Sequence, residues 1–424
     1  MTRLPHEGRN KTRLIPALGS AGATAFHDRL ARHAVGRASS YVLTHPGTRM
    51  QIQLEGGTPA EGRAWLGEID CHAQQDGDLG KRMGVAVERA FAKGARRVVV
   101  MGTDCPAIDE PLLAEAFESL AKADLVFGPA ADGGYYLIGM ARPCPAVFTG
   151  IQWGGPQVLV QSLAAAKDSG FHAVLLDVLN DVDVPEDLPA AHAVLAEGTS
   201  LSVIVPTLNE EKQLPALLDR LKQCCPHEII VVDGGSRDRT VEIAEQAGVR
   251  VISVARGRAS QMNLAAAMAT GEFLLFLHAD TLPPPDYTQV ITRVLQSPTT
   301  SAGAFRFELS GNLPGTFLIE ALVNLRCRLR GTPYGDQGLF VRRRIFQHIG
   351  RFPDWPVLED LHMVRLLKRL GPVRTAPQAA RTSARRWEKG GTILTFLRHQ
   401  LMLAAYHLGV PPRLIARLRS QIRC

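Results

Sequence analysis

A chain of 424 residues is longer than one hydrophobic core usually supports, so two domains are expected. With 46% hydrophobic and 21% charged residues it has an ordinary globular composition, and no uninterrupted apolar run reaches the roughly 18 residues of a membrane span. The net charge of +7 lies mostly in late stretches such as "NLRCRLRG", "VRRRIF" and "PPRLIARLRSQIR", which suit an anionic substrate or an acidic membrane surface. No helix-turn-helix, zinc-finger or RNA-binding signature accompanies the charge, so nucleic acid ranks last among the partners. "TILTFLRHQLMLAAYHLGV" is broken by Arg398 and His399, and no apolar h-region marks a signal peptide. A cytoplasmic protein is expected, with peripheral contact to the inner face of the membrane as the alternative. Seven scattered cysteines lack paired zinc spacing and read as reduced thiols.

Along the chain, short β-rich runs alternate with helix-like stretches, the pattern of parallel βαβ units. "HEGRNKTRLIP" comes first and sets Lys11 and Arg13 close behind Gly8. It lacks P-loop spacing, yet closely spaced cations suit phosphate. "QQDGDLGKRM" is a polar loop entering a helix, and "RRVVVMGTDCP" is a strand over Val98–Met101 that stops at Asp104. "DLVFGPAADGGYYLIGM" reads as a hairpin holding Asp132 in its turn, and "LNDVDVPEDL" adds Asp181 and Asp183. Turn formation accounts for each of these acids alone. Together they read as a nucleotide and metal site. A helix and short linker over 188–200 then place a domain boundary, giving units 1–195 and 200–424.

The pattern restarts at "LSVIVPTLNE", a strand over Leu201–Val205 expected to end at Pro206. "EIIVVDGGSRDRT" is a strand ending on Asp233 and a Gly-Gly turn, and "ARGRASQMN" carries Arg256 and Arg258. The apolar run Phe273–Leu277 stops on His278-Ala279-Asp280, and "VLEDLHM" presents Glu359-Asp360. In open α/β sheets, ligands bind outside the carboxyl ends of the strands, where Asp104, Asp233 and Asp280 all fall. Carboxylates there suit Mg²⁺ or Mn²⁺ completed by substrate phosphates, while helix capping is the bland alternative for each.

The runs "SVIVPTLNEE", "IIVVDGGSRDRT", "RGRASQMN", "LLFLHADT", "TPYGDQGLFVRR" and "LEDLHM" resemble the family 2 glycosyltransferases of GT-A fold. The subgroup is that of arsenosugar-biosynthesis or radical-SAM/selenodomain-associated transferases, and the likeness covers about residues 200–390. It implies that Pro206, Thr207 and Glu210 line a nucleotide pocket and that Asp233 holds base or ribose. It implies that Asp280 binds the metal bridging the donor diphosphate, His278 standing where the family has its first Asp, and that Asp360 is the general base of an inverting transfer. Arg258 would contact the donor. Arg386 and Trp387 of "SARRWEKGG" would clamp pyrophosphate or stack on sugar; a surface Arg with a core Trp is the alternative. Asp336 is either a turn residue or an acceptor contact. The donor would be a UDP- or GDP-sugar, and the acceptor an unknown small molecule or lipid.

The first half, about residues 5–190, resembles the GT-A-like family DUF2064, through "KTRLIPALG", "GDLGKRM", "GTDCP", "DGGYYLIG" and "DVDVPEDL". The likeness implies a nucleotidyltransferase-like domain with Asp104 and Asp183 holding a metal and Lys11, Arg13 and Asp132 meeting phosphate or nucleotide. It also implies a β-strand ahead of the Lys-Thr-Arg loop. Only "MTRLP" precedes that loop, so either the true start lies upstream or this half lacks the strand. The fold expected is thus α/β, two tandem GT-A domains.

Overall fold

The computed structural model describes the chain except residues 68, 198–199, 255–256, 298, 312–314, 386–390 and 422–424. Side chains of 196–197, 392–393, 396 and 419–421 are likewise outside the description. The fold is α/β, with mixed sheets flanked by helices, and the chain divides into two compact units. One is Met1–Gly198 with Gln296–Thr299; the other is Thr199–Leu295 with Thr300–Cys424.

The first unit holds two sheets. β1 (Thr2–Arg3), β2 (Gln51–Glu55) and β3 (Asp70–Ala73) run parallel in that order. β4 (Val98–Met101), β5 (Leu125–Pro129), β6 (Tyr135–Met140) and β7 (Ala173–Leu175) form the order β4-β6-β5-β7, with β5 and β6 the expected antiparallel hairpin. A strand does stand ahead of the Lys11 loop, but it is two residues long and covers only Leu54–Glu55 of β2. A cavity of about 700 Å³ lies between β2 and β4, lined by Gln51–Gln53 on one side and Val98–Met101 on the other. The helix Ile15–Thr44, bent where Gly19 takes φ 72°, packs Phe26 and Leu30 inward. Its His33 side chain meets the Pro106 carbonyl at 3.0 Å, fixing the loop just past Asp104.

The second unit has one eight-stranded sheet. β8 (Leu201–Thr207), β9 (Glu228–Asp233), β10 (Arg250–Ser253) and β11 (Phe273–Phe276) are parallel neighbours in the order β10-β9-β8-β11. β14 (Leu339–Arg342) runs antiparallel beside β11; β13 (Ala302–Ser310), β15 (Val373–Ser383) and β12 (Thr281–Leu282) complete the sheet. β8, β9 and β11 are rich in Val, Ile, Leu and Phe because both their faces are covered, while β10 at the edge of the sheet is half exposed. β8 runs through Pro206, where a stop was expected. β11 reaches only Ile204, so at Pro206 a single neighbour, β9, remains to be satisfied and the missing N–H is tolerated.

Burial lowers the His33 pKa from 6.5 to about 4, with the Arg37 charge adding to the effect. A base whose folded pKa lies below its unfolded value stabilises fully above pH 6.5 and loses that contribution as the pH falls toward 4. Thermal melts of the wild type should therefore show an acid loss over this window that His33→Gln flattens. Parallel melting curves for the two proteins would assign the loss to other groups.

Candidate active site

In the second unit the parallel strands deliver their loops to one edge, and hydrogen bonds join these loops into a single wall. Asp233 at the end of β9 accepts from the Gly235 and Ser236 amides at 2.8 and 2.9 Å, so its carboxylate holds the Gly-Gly turn. Asn209, in left-handed conformation at φ 56°, donates its amide to Ser236 and accepts from the Arg237 amide, each at 2.8 Å. Thr207 is buried, and its carbonyl accepts from Gly234 N at 2.9 Å and Gln261 Nε2 at 3.0 Å. Glu210 forms an ion pair with Arg385 at 3.2 Å. Arg385 is a residue that sequence reasoning passed over for its neighbour Arg386, which lies outside the described residues. Two adjacent arginines in "SARRW" offer no means of telling which one turns inward.

Asp280 follows β11 and is buried. Its carbonyl accepts from Ser383 N at 2.9 Å, and β12 beside it pairs with β15, so the carboxylate hangs from a fixed backbone. Asp360 opens the helix Glu359–Leu370. Its Oδ2 accepts the Gly335 amide at 2.7 Å and its Oδ1 the Leu361 amide at 2.8 Å. A Cβ on Gly335 would stand 2.9 Å from Asp360 Oδ2 and 3.1 Å from His278 Nε2, so only glycine lets this loop approach both. Arg258 donates to His278 Nε2 at 3.0 Å and to Glu359 Oε1 at 2.5 Å. Glu359 is 1% exposed, and Arg258 is the cation that faces its buried charge. Arg258, His278, Gly335, Glu359 and Asp360 thus form one contiguous group.

Asp336 joins them. Its Oδ1 is sealed from solvent without a partner among the described residues. Burial pushes its carboxyl up to about 6, and the Asp360 and Asp280 charges push the same way. A buried carboxylate with two others close by is the kind of oxygen-rich setting a hard cation uses. Among the described residues no group of three His, Cys, Asp or Glu side chains is placed to hold an ion unaided. An ion at these oxygens would have to draw most of its ligands from water and a bound phosphate.

In the first unit, Lys11, Arg13, Asp104, Asp132 and Asp183 all line one cavity of about 520 Å³. Asp132 Oδ1 caps the hairpin turn through the Gly134 amide at 2.9 Å. Burial raises the Asp181 carboxyl above its ordinary range, and the Asp132 and Asp183 charges add to it. The Lys11 ammonium is 7% exposed and lies 2.9 Å from Asp104 Oδ1, 3.0 Å from Asp183 Oδ1 and 2.6 Å from the Val182 carbonyl. All three of its donors are engaged. Arg13, exposed, reaches Asp183 Oδ2 at 3.5 Å. The pair expected to hold a metal is bridged by the protein's own cation, so ammonium and divalent ion compete for the same oxygens.

Residues 202–348 match the family described as Glycosyl transferase family 2, and residues 36–155 match DUF2064, an uncharacterised protein family conserved in bacteria. Among curated relatives, the undecaprenyl-phosphate 4-deoxy-4-formamido-L-arabinose transferase of Serratia proteamaculans (strain 568) is 29% identical over 155 residues, 34% of this chain and 48% of that protein. A PGL/p-HBAD biosynthesis glycosyltransferase of Mycobacterium bovis (strain BCG / Pasteur 1173P2) is 42% identical over 88 residues, 19% of this chain and 34% of that protein. The chain thus spans under half the length of either. A crystal structure of a candidate nucleotide-diphospho-sugar transferase from Desulfovibrio desulfuricans G20 is 31% identical, covering 46% of this chain and 92% of that one, with a TM-score of 0.41. The second unit carries a domain similar to glycosyltransferases of family 2. The chain as a whole joins a DUF2064 domain to a family 2 glycosyltransferase domain.

The Lys11 bridge yields a direct expectation. Lys11→Met keeps much of the stem and removes the charge, so Mn²⁺ alone should bind at least about tenfold more tightly than to the wild type. Adding Asp104→Asn should abolish the gain. Titration calorimetry on the full chain reads both effects, and equal affinity in wild type and Lys11→Met would place the ion elsewhere.

Proposed function

We propose that the second unit transfers a sugar, with inversion, from a nucleotide-sugar donor to a hydroxyl of a lipid-borne acceptor. The observation that carries this reading is the placement of Asp360. Its carboxylate is steadied by the Gly335 and Leu361 amides, within the group that includes His278 and Arg258. The wall formed by Thr207, Glu210 and the Asp233 turn is the proposed nucleotide pocket. Asp280, with Asp336, would hold a divalent ion, which when bound supplies positive charge to the donor diphosphate.

Asp360 takes the proton of an acceptor hydroxyl as its oxygen bonds to the anomeric carbon. The anomeric C–O bond to the diphosphate breaks on the opposite face, and the nucleoside diphosphate leaves with the electron pair. A single displacement inverts the configuration. Arg258 and Arg385 are the nearby cations suited to the departing diphosphate, and Glu359 sets the orientation of Arg258. The lipid acceptor is favoured by the relative whose name includes undecaprenyl-phosphate.

For the first unit, the cavity carrying Lys11, Arg13, Asp104 and Asp183 supports a nucleotidyltransferase-like role toward a nucleoside triphosphate or nucleotide sugar. In that reading Lys11 would turn from the carboxylates to an entering phosphate, and Asp104 and Asp183 would be the residues to hold a divalent ion. A bifunctional chain whose first unit makes the donor for the second follows if both sites act.

Asp360→Asn should keep donor binding and lower transfer by about 10²–10⁴, as removal of a general base does. An unchanged rate with a nucleotide-sugar donor would move the base to another residue. Asp280→Ala should abolish metal-dependent donor binding, read by thermal shift with Mn²⁺, while the fold survives by circular dichroism. Retained metal-dependent binding in that variant would remove Asp280 from the site.

A further inference from the structure

The helix Thr316–Arg330 is apolar on more than the face it buries. Its polar side chains face the protein: Asn324 donates to the Phe307 carbonyl and accepts the Phe307 amide, both at 2.9 Å, and Glu320 accepts the Leu309 amide at 2.8 Å. These bonds satisfy the edge of β13 that β14 leaves uncovered beyond Ala304, its other edge being paired with β15. Ile319 packs beside them on Phe307 and Leu309, while a second set of apolar side chains faces water. Phe317 is 83% and Leu329 74% exposed, with Leu318, Leu322 and Leu325 between them. The positions 318, 322, 325 and 329 fall on one stripe of a helix, so this is one continuous row and not scattered exposure.

A second row repeats the pattern on the helix Thr392–His407, where Leu394, Leu397 and Leu401 are exposed. Both helices are tied to the surroundings of the base. Arg326 on the first stacks over Tyr334 at 3.7 Å, next to the Gly335 that holds Asp360. Tyr406 on the second meets His362, on the helix that Asp360 opens, at 3.3 Å. The rows carry basic flanks: Arg328 and Arg330 are exposed at the end of the first. From Thr392 to Cys424 the sequence holds Arg398, Arg413, Arg417, Arg419 and Arg423 and no acidic residue. No helix among the described residues is long and apolar enough to cross a membrane.

We propose that these two leucine rows, with their arginines, are a surface that seats the second unit on an anionic lipid bilayer, beside Asp360. Apolar side chains that enter the headgroup region, flanked by cations that attract its negative potential, are the chemistry of an interfacial helix. A second copy of the chain would bury the leucines but would leave the arginines facing like charge. The surface supplies the acceptor named in the proposed function and rests on that reading for its catalytic meaning, while the seating itself does not.

Co-sedimentation of the full chain with phosphatidylcholine vesicles, with and without phosphatidylglycerol, tests it. The wild type should pellet with the anionic vesicles and be released by salt. Leu325→Glu with Leu329→Glu, both outward-facing, should weaken this at least about tenfold. Arg328→Ala with Arg330→Ala should weaken it by about tenfold, on anionic vesicles only. Thermal shift with a nucleotide sugar should be the same in all three proteins. A wild type that stays in the supernatant overturns the proposal. So does a dimer, seen by light scattering, that the leucine variant dissociates. Vesicle binding without any donor binding would leave the seating standing and remove the glycosyltransferase reading instead.

Discussion

The hydrogen bond from the Gly335 amide to Asp360 Oδ2, at 2.7 Å, is the contact through which the site's parts are held in common. A carboxylate that accepts two backbone amides is fixed in orientation without a cation of its own, which leaves it open toward a ligand. The loop that supplies the amide is anchored three ways: Gln337 donates to the Phe305 carbonyl at 3.0 Å, Thr382 to the Asp336 carbonyl at 2.9 Å, and Arg326 lies over Tyr334. β13, β15 and the apolar helix therefore all converge on one glycine. Any side chain there would push against Asp360 and His278 together, so the site tolerates no bulk at the point where its geometry is set.

The two units treat surplus negative charge in different ways. In the first, an ammonium on the same chain neutralises the carboxylates and saturates its donors doing so. In the second, Arg258 pairs with the buried Glu359 and also faces Asp360 and Asp336, while Arg326 faces Asp336. Burial still holds the Asp336 carboxyl above its ordinary range, so cations at a distance only partly offset what desolvation costs.

Much of this was legible in the residues. Strand-end carboxylates follow from apolar runs that stop on Asp, and Val98–Met101 and Glu228–Asp233 form as strands where the pattern placed them. Asp104, Asp132, Asp183, Lys11 and Arg13 come together around one cavity. What the pattern could not reveal was partnership at long range. Gln261 binds carbonyls of β8 and β9 at their ends, and nothing in "RASQMN" marks that role. Asp233 reads as a ligand residue, and the pattern does not show that its carboxylate also holds its own turn. The end assigned to β8 at Pro206 missed because a proline's cost depends on how many neighbours the strand has, a property of the sheet and not of the strand.

β15 has a consequence for how the second unit comes into being. It pairs with β13 and β12, fixes Asp280 through Ser383 N and supports the Asp336 loop through Thr382. Its partners lie some 70 to 100 residues earlier in the chain, so their loops stay open until it arrives. During synthesis the parallel strands β8–β11 can assemble while residues beyond 340 are still being made, since domains fold as the chain emerges. The acidic centre cannot. Nascent protein thus passes through a stage with the loops of β8 and β9 already joined and the surroundings of Asp280 and Asp336 still open, and β15, the last strand of the sheet in chain order, is the one that closes them.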